Sequence, residues 1–393
     1  MRVLVVHNRY RSALPSGENE VVDREVRLLA AAGVDVDAFT PSSDEIEAMP
    51  AARRVALAAS PTVAPAALGR FADAVRRFRP DVVHVHNVYP LVSPAVVRRA
   101  RRLGVPVVQT VHNYRHVCSP GTMYRDGHVC DDCVGRAVPW PGVVHRCYRG
   151  SAAQSAAMAV SQVVHRPTWR LVDRYLPVSR FVADHLVRTG VDPARVVVKP
   201  NAVDDPGPVP PPGRGFEFAG RLDREKGVLA LLDAWAASGA GDRSVLTIAG
   251  DGPVREDVER RAASLPGVRC VGRVAPAAVG RLLADGAVAV VPSLWHETFG
   301  LVAVEAFARG RPVVATRMGG LGELVDERCG WPVAPTVEGL AAALAAAAAA
   351  PPDRLAAMGR NGRERYEAAF TPDAVVARLV DTYEAVVSER GRR

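Results

Sequence analysis

Glu297 and Glu305, separated by seven residues, lie in the run Pro292-Ser293-Leu294-Trp295-His296-Glu297-Thr298-Phe299-Gly300-Leu301-Val302-Ala303-Val304-Glu305-Ala306. A carboxylate accepts paired hydrogen bonds from vicinal diols, so two of them near one anion site suit a sugar on one side and a ribose on the other. The valine run before them reads as a buried strand, and the turn through Gly300 opens a helix whose free N–H groups attract an anion. A second run, Ala219-Gly220-Arg221-Leu222-Asp223-Arg224-Glu225-Lys226-Gly227, also follows a predicted strand directly. Glycine there lets a backbone approach closely, Arg221 offers a two-pronged fork and Lys226 a compact charge, partners that together suit a diphosphate. Lys199 and Lys226 are the only lysines among 50 lysines and arginines, so a lysine retained at this spot carries weight. The bland alternatives are a solvated helix start at Glu225-Lys226 and glutamates that merely cap a helix or face water.

In the first half, three predicted strands end in the same dipeptide: His7-Asn8, His86-Asn87 and His112-Asn113. With ten histidines and six asparagines in the whole chain, three such pairs at one edge favour a polar cleft over scattered turn residues. Ligands of parallel sheets bind beyond the carboxyl ends of the strands. Ser16-Gly17-Glu18-Asn19 precedes a helix, where glycine and exposed N–H groups suit phosphate or sugar oxygens. Gly-x-Gly-x-x-Gly is missing after the first strand, which weighs against nicotinamide chemistry.

Cys118, Cys130, Cys133 and Cys147 follow the spacing C-x11-C-x2-C-x13-C within residues 113–150. In a reducing compartment this pattern suits a tetrahedral structural zinc, with His116, His128 and His145 as substitute ligands, and free or disulfide-bonded cysteines as the alternative. Four cysteine ligands leave no open position, so such a metal would not be catalytic.

The elements that must position these groups alternate. Strand candidates end near His7, Phe39, His86, His112, Val178 and Val198, with amphipathic segments such as residues 20–32 between them. Residues 200–215 hold six prolines and three glycines and read as a linker. The alternation restarts with strands at 216–219, 245–249, 268–271, 287–291 and 312–315, and residues 371–393 read as a closing helix begun by a threonine cap and a proline. The expected organisation is an acceptor-side domain over 1–200 carrying the cysteine insert at 113–150, a linker over 201–215 and a nucleotide-sugar domain over 216–370. Helix 371–393 is expected to pack back on the first domain.

A chain of 393 residues, 48% hydrophobic and 23% charged, is large enough for two to three domains and excludes both a lone small module and a disordered chain. The 50 basic and 42 acidic residues leave a net charge of +8, compatible with anionic substrates, nucleic acid or an anionic membrane surface. The longest apolar stretch, alanine-rich around 340–350, is too short to span a bilayer, and the N-terminal run meets His7 too early for a secretory signal. A cytoplasmic location is expected.

The stretches 220–227 and 292–320 resemble the family four retaining glycosyltransferases of GT-B fold, whose Glu-x7-Glu motif corresponds to Glu297 and Glu305. Gly250-Asp251-Gly252-Pro253, Gly272 before a helix, and Gly310-x-Pro312-Val313-Val314-Ala315 match the pattern in order, so the resemblance spans nearly the whole chain. It implies an α/β architecture of two Rossmann-like doubly wound domains facing a central cleft. It further implies that Arg221 and Lys226 hold the nucleotide diphosphate, Glu297 the donor-sugar hydroxyls and Glu305 the ribose. Gly17, Phe299, Gly300 and Leu301 are then expected around the nucleotide sugar, and His112 near the transferred sugar. Residues 113–150 depart from the commonest pattern, resembling members with a four-cysteine insert. The implied activity is retaining transfer from a nucleoside-diphosphate sugar to a sugar, lipid-linked or small-molecule hydroxyl acceptor, with no divalent metal required for chemistry and no nucleic-acid partner. A lipid-linked acceptor would put the enzyme at the inner membrane face. The alternatives are a GT-B-like epimerase or phosphorylase, or a non-catalytic nucleotide-sugar-binding regulator.

Overall fold

A computed structural model of the chain describes residues 1–13, 16–50, 57 and 60–391. They form two compact units: Met1–Met123 with Cys130–Ala202 and Val375–Arg393, and Tyr124–Val129 with Val203–Ala374.

In the first unit, β1 (Arg2–Val6), β2 (Asp35–Phe39), β3 (Val82–Val85) and β4 (Val107–Val111) pair in parallel. After β4 comes the short antiparallel ribbon β5 (Tyr124–Arg125) and β6 (His128–Val129), whose residues cluster with the second unit. The last strand, β7 (Arg174–Pro177), joins the parallel sheet in the order β2-β1-β3-β4-β7. Strands covered on both faces read as continuous valine runs, and Val3 to Val6, Val82, Val83, Val107 and Val108 are all buried. The helix Pro372–Gly391 contributes Val376, Leu379, Tyr383 and Val386 to the same core as Val3, Val5, Val22 and Leu29. Its N-terminal turn is closed by Thr371, whose hydroxyl accepts from Ala374 N at 3.3 Å.

No strand forms near Val198, contrary to the sequence expectation. Residues 196–199 run along the edge of β7 with one isolated bridge, Tyr175 to Val196, and N–H bonds from Val197 to Tyr175 O and Lys199 to Pro177 O, both 2.9 Å. Pro200 has no N–H with which to extend that ladder.

In the second unit, β8 (Phe216–Ala219), β9 (Leu246–Ala249), β10 (Val268–Gly272), β11 (Val288–Val291), β12 (Val313–Thr316) and β13 (Gly330–Val333) build a parallel sheet of order β10-β9-β8-β11-β12-β13. The core packs Phe216, Phe218, Leu246, Ile248, Val288 and Val290 against Leu231, Trp235, Leu340 and Leu344. The pattern missed β13, because Gly330-Trp331-Pro332-Val333 carries a glycine and a proline in four residues; proline is tolerated here because the strand is at the sheet edge. The proline-rich stretch is tied to this unit. Buried Arg311 donates to the carbonyls of Pro210 at 3.2 Å and Pro211 at 2.6 Å, and Arg363 pairs with Asp205 at 2.9 Å.

Candidate active site

The two sheets each reverse their strand order at one point, the place where parallel sheets open a crevice at their carboxyl edge. In the second unit that point lies between β8 and β11. Arg221 and Lys226 follow β8 and Glu297 follows β11, so segments about 70 residues apart in sequence emerge side by side. Lys226 Nζ lies 2.6 Å from Glu297 Oε1, and the Ser293 hydroxyl donates to the same oxygen at 2.7 Å. The ammonium also sits over the Trp295 ring, 5.2 Å from its centroid. Burial works to raise the Glu297 carboxyl, but the Lys226 charge with the Lys226 and Ser293 hydrogen bonds outweighs it, and the group is held below its usual range.

The local backbone is built for this approach. Gly227 sits at φ +73°, and a Cβ there would fall 1.9 Å from Pro292 O, so only glycine lets the β8 loop close on the β11 loop. Leu294 N donates to Glu225 O at 2.8 Å across the same seam, and Gly320 N donates to Glu297 O at 2.7 Å. Gly300, at φ +100°, caps the helix Leu301–Ala308, which carries half-buried Glu305 in its second turn. Phe299 is buried with its ring against Phe370, centroids 5.8 Å apart, so only its backbone can meet a ligand. The Arg221 side chain is 53% exposed and pairs with Asp223 and with Glu225 at 3.3 Å. Among the described contacts of this guanidinium, acids of its own loop hold it, leaving it able to swing toward an anion.

In the first unit the order reverses between β1 and β3. The three His-Asn pairs follow β1, β3 and β4, and the structure gathers them. His86 Nδ1 is 2.9 Å from His112 Nε2, and His7 lies edge-on to His86 with ring centroids 6.2 Å apart. Burial pushes His86 and His112 each down to about 3 and lowers His7. The asparagines do different work. Asn8 Oδ1 accepts from Leu91 N at 2.6 Å and Asn87 Oδ1 from Tyr89 N at 3.1 Å, so these two side chains fix loops. Gly17 begins the helix Gly17–Ala31, capped by the Ser16 hydroxyl, and a Cβ on it would meet nothing within 4 Å. The chain's own atoms therefore do not require glycine there.

Several polar residues beneath this edge were not marked by the sequence. Glu25 Oε2 is 2.5 Å from Lys199 Nζ, and Glu25 Oε1 is 3.1 Å from His84 Nδ1 and 3.3 Å from His86 Nε2. Burial works to raise the Glu25 carboxyl, and the Lys199 ammonium overcomes it, holding the group well below its usual range. His84 is engaged on both sides, by Tyr383 OH at 2.7 Å and Thr110 Oγ1 at 2.8 Å. Glu18, next to Gly17, accepts from Tyr10 OH at 3.0 Å, and Arg115 Nη1 donates to Asn87 Oδ1 at 2.9 Å. Glu18, Asn87 and Arg115, together with His86, His112 and Trp169, line a small cavity of about 30 Å³. The signal available was Glu18 inside the Ser16-to-Asn19 run and the solitary Lys199.

Among the described residues, the group of three metal-binding side chains whose atoms lie within 4.8 Å of one another is Glu25, His84 and His86. It does not suit a cation, because the Lys199 ammonium already occupies the carboxylate and His84 spends both ring nitrogens. Cys118, Cys130, Cys133 and Cys147 are not brought into such a group. Burial pushes the Cys118 thiol up to about 11 and raises that of Cys133, and Met123 N donates to Cys118 Sγ at 3.4 Å. Their sulfurs still do not converge on one tetrahedral point.

With this geometry established, residues 16–202 match the family model described as a glycosyl transferase 4-like domain, and residues 214–349 match that of glycosyl transferases group 1. A glycogen synthase of Mycobacterium tuberculosis is 30% identical over 338 residues, covering 81% of this chain and 71% of the relative. The chain belongs to the family four, group 1 glycosyltransferases. A 2-deoxystreptamine N-acetyl-D-glucosaminyltransferase of Streptomyces fradiae is 30% identical over 265 residues, 64% of this chain and 58% of that protein. Among solved structures, sucrose-phosphate synthase from Thermosynechococcus elongatus superimposes with TM-score 0.70 at 20% identity, covering 99% of this glycosyltransferase and 100% of that chain. Anabaena HepE, solved with UDP-glucose, gives 0.68 at 16% identity over 98% and 100%. The fold of this glycosyltransferase is therefore GT-B, with two parallel-sheet α/β domains.

Proposed function

We propose that the chain transfers a sugar from a nucleoside-diphosphate sugar to a hydroxyl acceptor with retention of anomeric configuration. The observation that carries this is the Lys226 to Glu297 pair at 2.6 Å, a cation beside a carboxylate at the strand reversal of the second sheet. Lys226 and Arg221 take the diphosphate, whose charge grows as the glycosidic bond breaks, so both stabilise the departing group more in the transition state than before it. The N–H groups at the start of the helix Leu301–Ala308 add to that field. Glu297 holds donor-sugar hydroxyls, Glu305 the ribose, and the Phe299-Gly300-Leu301 backbone lines the nucleotide. His112 and Gly17 are assigned to the sugar and phosphates by the family resemblance. No step needs a divalent metal. The acceptor is a sugar, a lipid-linked saccharide or a small molecule, in the cytoplasm.

Zinc on Cys118, Cys130, Cys133 and Cys147 is a separate proposal. It is supported by their spacing and by the Met123 N–H aimed at Cys118 Sγ, and metal bonding would have to draw the sulfurs together.

A thermal-shift panel of UDP-, GDP-, ADP- and dTDP-sugars tests the donor reading. A ligand at a hundred times its Kd stabilises by about 2.7 kcal/mol, so one base should stand out. Product analysis with that donor then reads transfer and anomeric configuration. Absence of both shift and transfer across the panel overturns the proposal.

A further inference from the structure

The helix Ala152–Trp169 buries an unusually polar face. Beside Met158 and Ala159 that face carries Ser155, Ser161, Gln162, His165 and Thr168, and each of these five is spent on hydrogen bonds. Ser161 donates to Pro61 O at 2.6 Å, Gln162 Nε2 to Arg115 O at 2.9 Å, and Ser155 accepts from Tyr148 N at 2.9 Å. His165 bridges Thr168 Oγ1 at 2.9 Å and Thr62 O at 2.7 Å. The face turned outward is aliphatic: Val160 is 54% exposed and Val164 40%, and Leu171, just beyond the helix, is 38% exposed. At about 100° per residue, positions 160 and 164 fall within about 40° of arc, so they share one stripe. A helix of a protein surrounded only by water would place these groups the other way round.

The stripe is extended and framed. The short helix Trp140–Val144 packs along the long one, with Trp140 52% exposed and Val144 64%, and Val138 beside them is 52% exposed. Arginines border both sides. Arg98 Nη2 donates to Val164 O at 3.1 Å on one flank. On the other, Arg166 donates to Arg136 O, and the Arg136 guanidinium lies 5.3 Å from the centre of the Trp140 ring. Exposed Arg170 follows one turn after Arg166.

We propose that this face seats the protein on an anionic phospholipid bilayer, with Trp140, Val144, Val160 and Val164 entering the headgroup boundary and the bordering arginines meeting lipid phosphates. An exposed aliphatic stripe with a tryptophan and flanking cations is the composition of an interfacial helix, in which apolar burial and attraction to anionic lipid act together. Among the described residues no helix is long and apolar enough to cross a membrane, so the helix lies in the interface. The proposal goes beyond the transfer reaction and does not depend on it.

Sedimentation of the full chain with phosphatidylcholine vesicles, with and without phosphatidylglycerol, tests it. Binding is expected to the anionic vesicles, to weaken as salt rises, and to drop at least tenfold in the Val160→Glu, Val164→Glu double variant. Both positions face solvent, so that variant should keep its melting temperature. Brominated acyl chains should quench a part of the tryptophan fluorescence that is missing in Trp140→Phe. Equal binding of the double variant, or binding indifferent to lipid charge, overturns the proposal. So does a wild-type dimer that the double variant splits into monomers with no vesicle binding by either, which would make this face an interface between copies. Nucleotide-sugar binding by the same variant, measured in parallel, separates failure of the surface from failure of the transfer reading.

Discussion

His112 Nε2 lies 2.9 Å from His86 Nδ1, with the two rings stacked at 19° between planes. Glu25 Oε1 sits 3.3 Å from the far nitrogen of His86. Among the described residues neither Glu25 Oε1 nor His86 Nε2 makes a hydrogen bond, so the carboxylate acts on His86 through its charge, opposing the burial that lowers the imidazole.

This arrangement makes acid destabilising. Burial depresses His86 and His112 to about 3 in the folded chain, against about 6.5 unfolded, so between those values the unfolded state binds more protons. Folding stability should fall as pH drops below about 6.5 and continue to fall toward about 3, by at most ~1.4 kcal/mol per pH unit for each group titrating alone. Urea unfolding between pH 7 and pH 4 reads the slope, and His112→Gln should flatten it. A wild-type profile that is level over that range contradicts the assignment.

Lys199 and Glu25 form a buried pair 2.5 Å apart, linking residues 174 positions apart in sequence. Removing one partner strands the other charge. Lys199→Met is expected to cost roughly 3–5 kcal/mol in unfolding free energy. The Lys199→Met, Glu25→Gln double variant should regain most of that loss, and a double variant as unstable as the sum of the two single variants would show that the pair is not the cause.

How legible these features were depends on how locally they are encoded. The valine runs of β1, β3 and β11 announced a parallel sheet because burial on both faces leaves a largely apolar stretch. Lys226 and Glu297 were found through the segments around them, and the strand reversal between β8 and β11 explains why those segments meet. The pair Glu25 and Lys199, and the contact of Tyr383 with His84 across 299 positions, leave no local periodic trace. In β13, Gly330 and Pro332 hid a strand that its edge position tolerates. The helix Ala152–Trp169 would mislead any reader of hydrophobic periodicity, since its valines face outward and its serines and histidine inward.

Zinc is open to direct measurement. Elemental analysis of protein purified without chelator is expected to give about one zinc per chain, and chelation should lower the melting temperature before it lowers turnover. Cys130→Ser should lose the metal. Protein free of zinc, with a melting temperature indifferent to chelator, would leave the four cysteines as ordinary thiols.

The sharpest expectation concerns the loops after β8 and β11. Arg221 is half exposed and, among the described residues, pairs with acids of its own loop, so Arg221→Ala should fold normally while losing the proposed hold on the diphosphate. Lys226→Ala removes the cation beside Glu297, leaving a buried carboxylate that the Ser293 hydroxyl still contacts. Each substitution should lower turnover by roughly 100-fold or more, the scale of losing a preorganised charge at a developing anion. The two glutamates should separate. If Glu305 holds the ribose as proposed, Glu305→Ala should chiefly weaken affinity for free nucleoside diphosphate. If Glu297 holds the transferred sugar as proposed, Glu297→Ala should chiefly lower turnover, because the free nucleotide lacks that sugar. Steady-state rates paired with calorimetric titration of the nucleotide read both quantities. Near-wild-type turnover in both cation variants would remove the diphosphate assignment, and equal losses of nucleotide affinity in both glutamate variants would remove the division of labour between sugar and ribose.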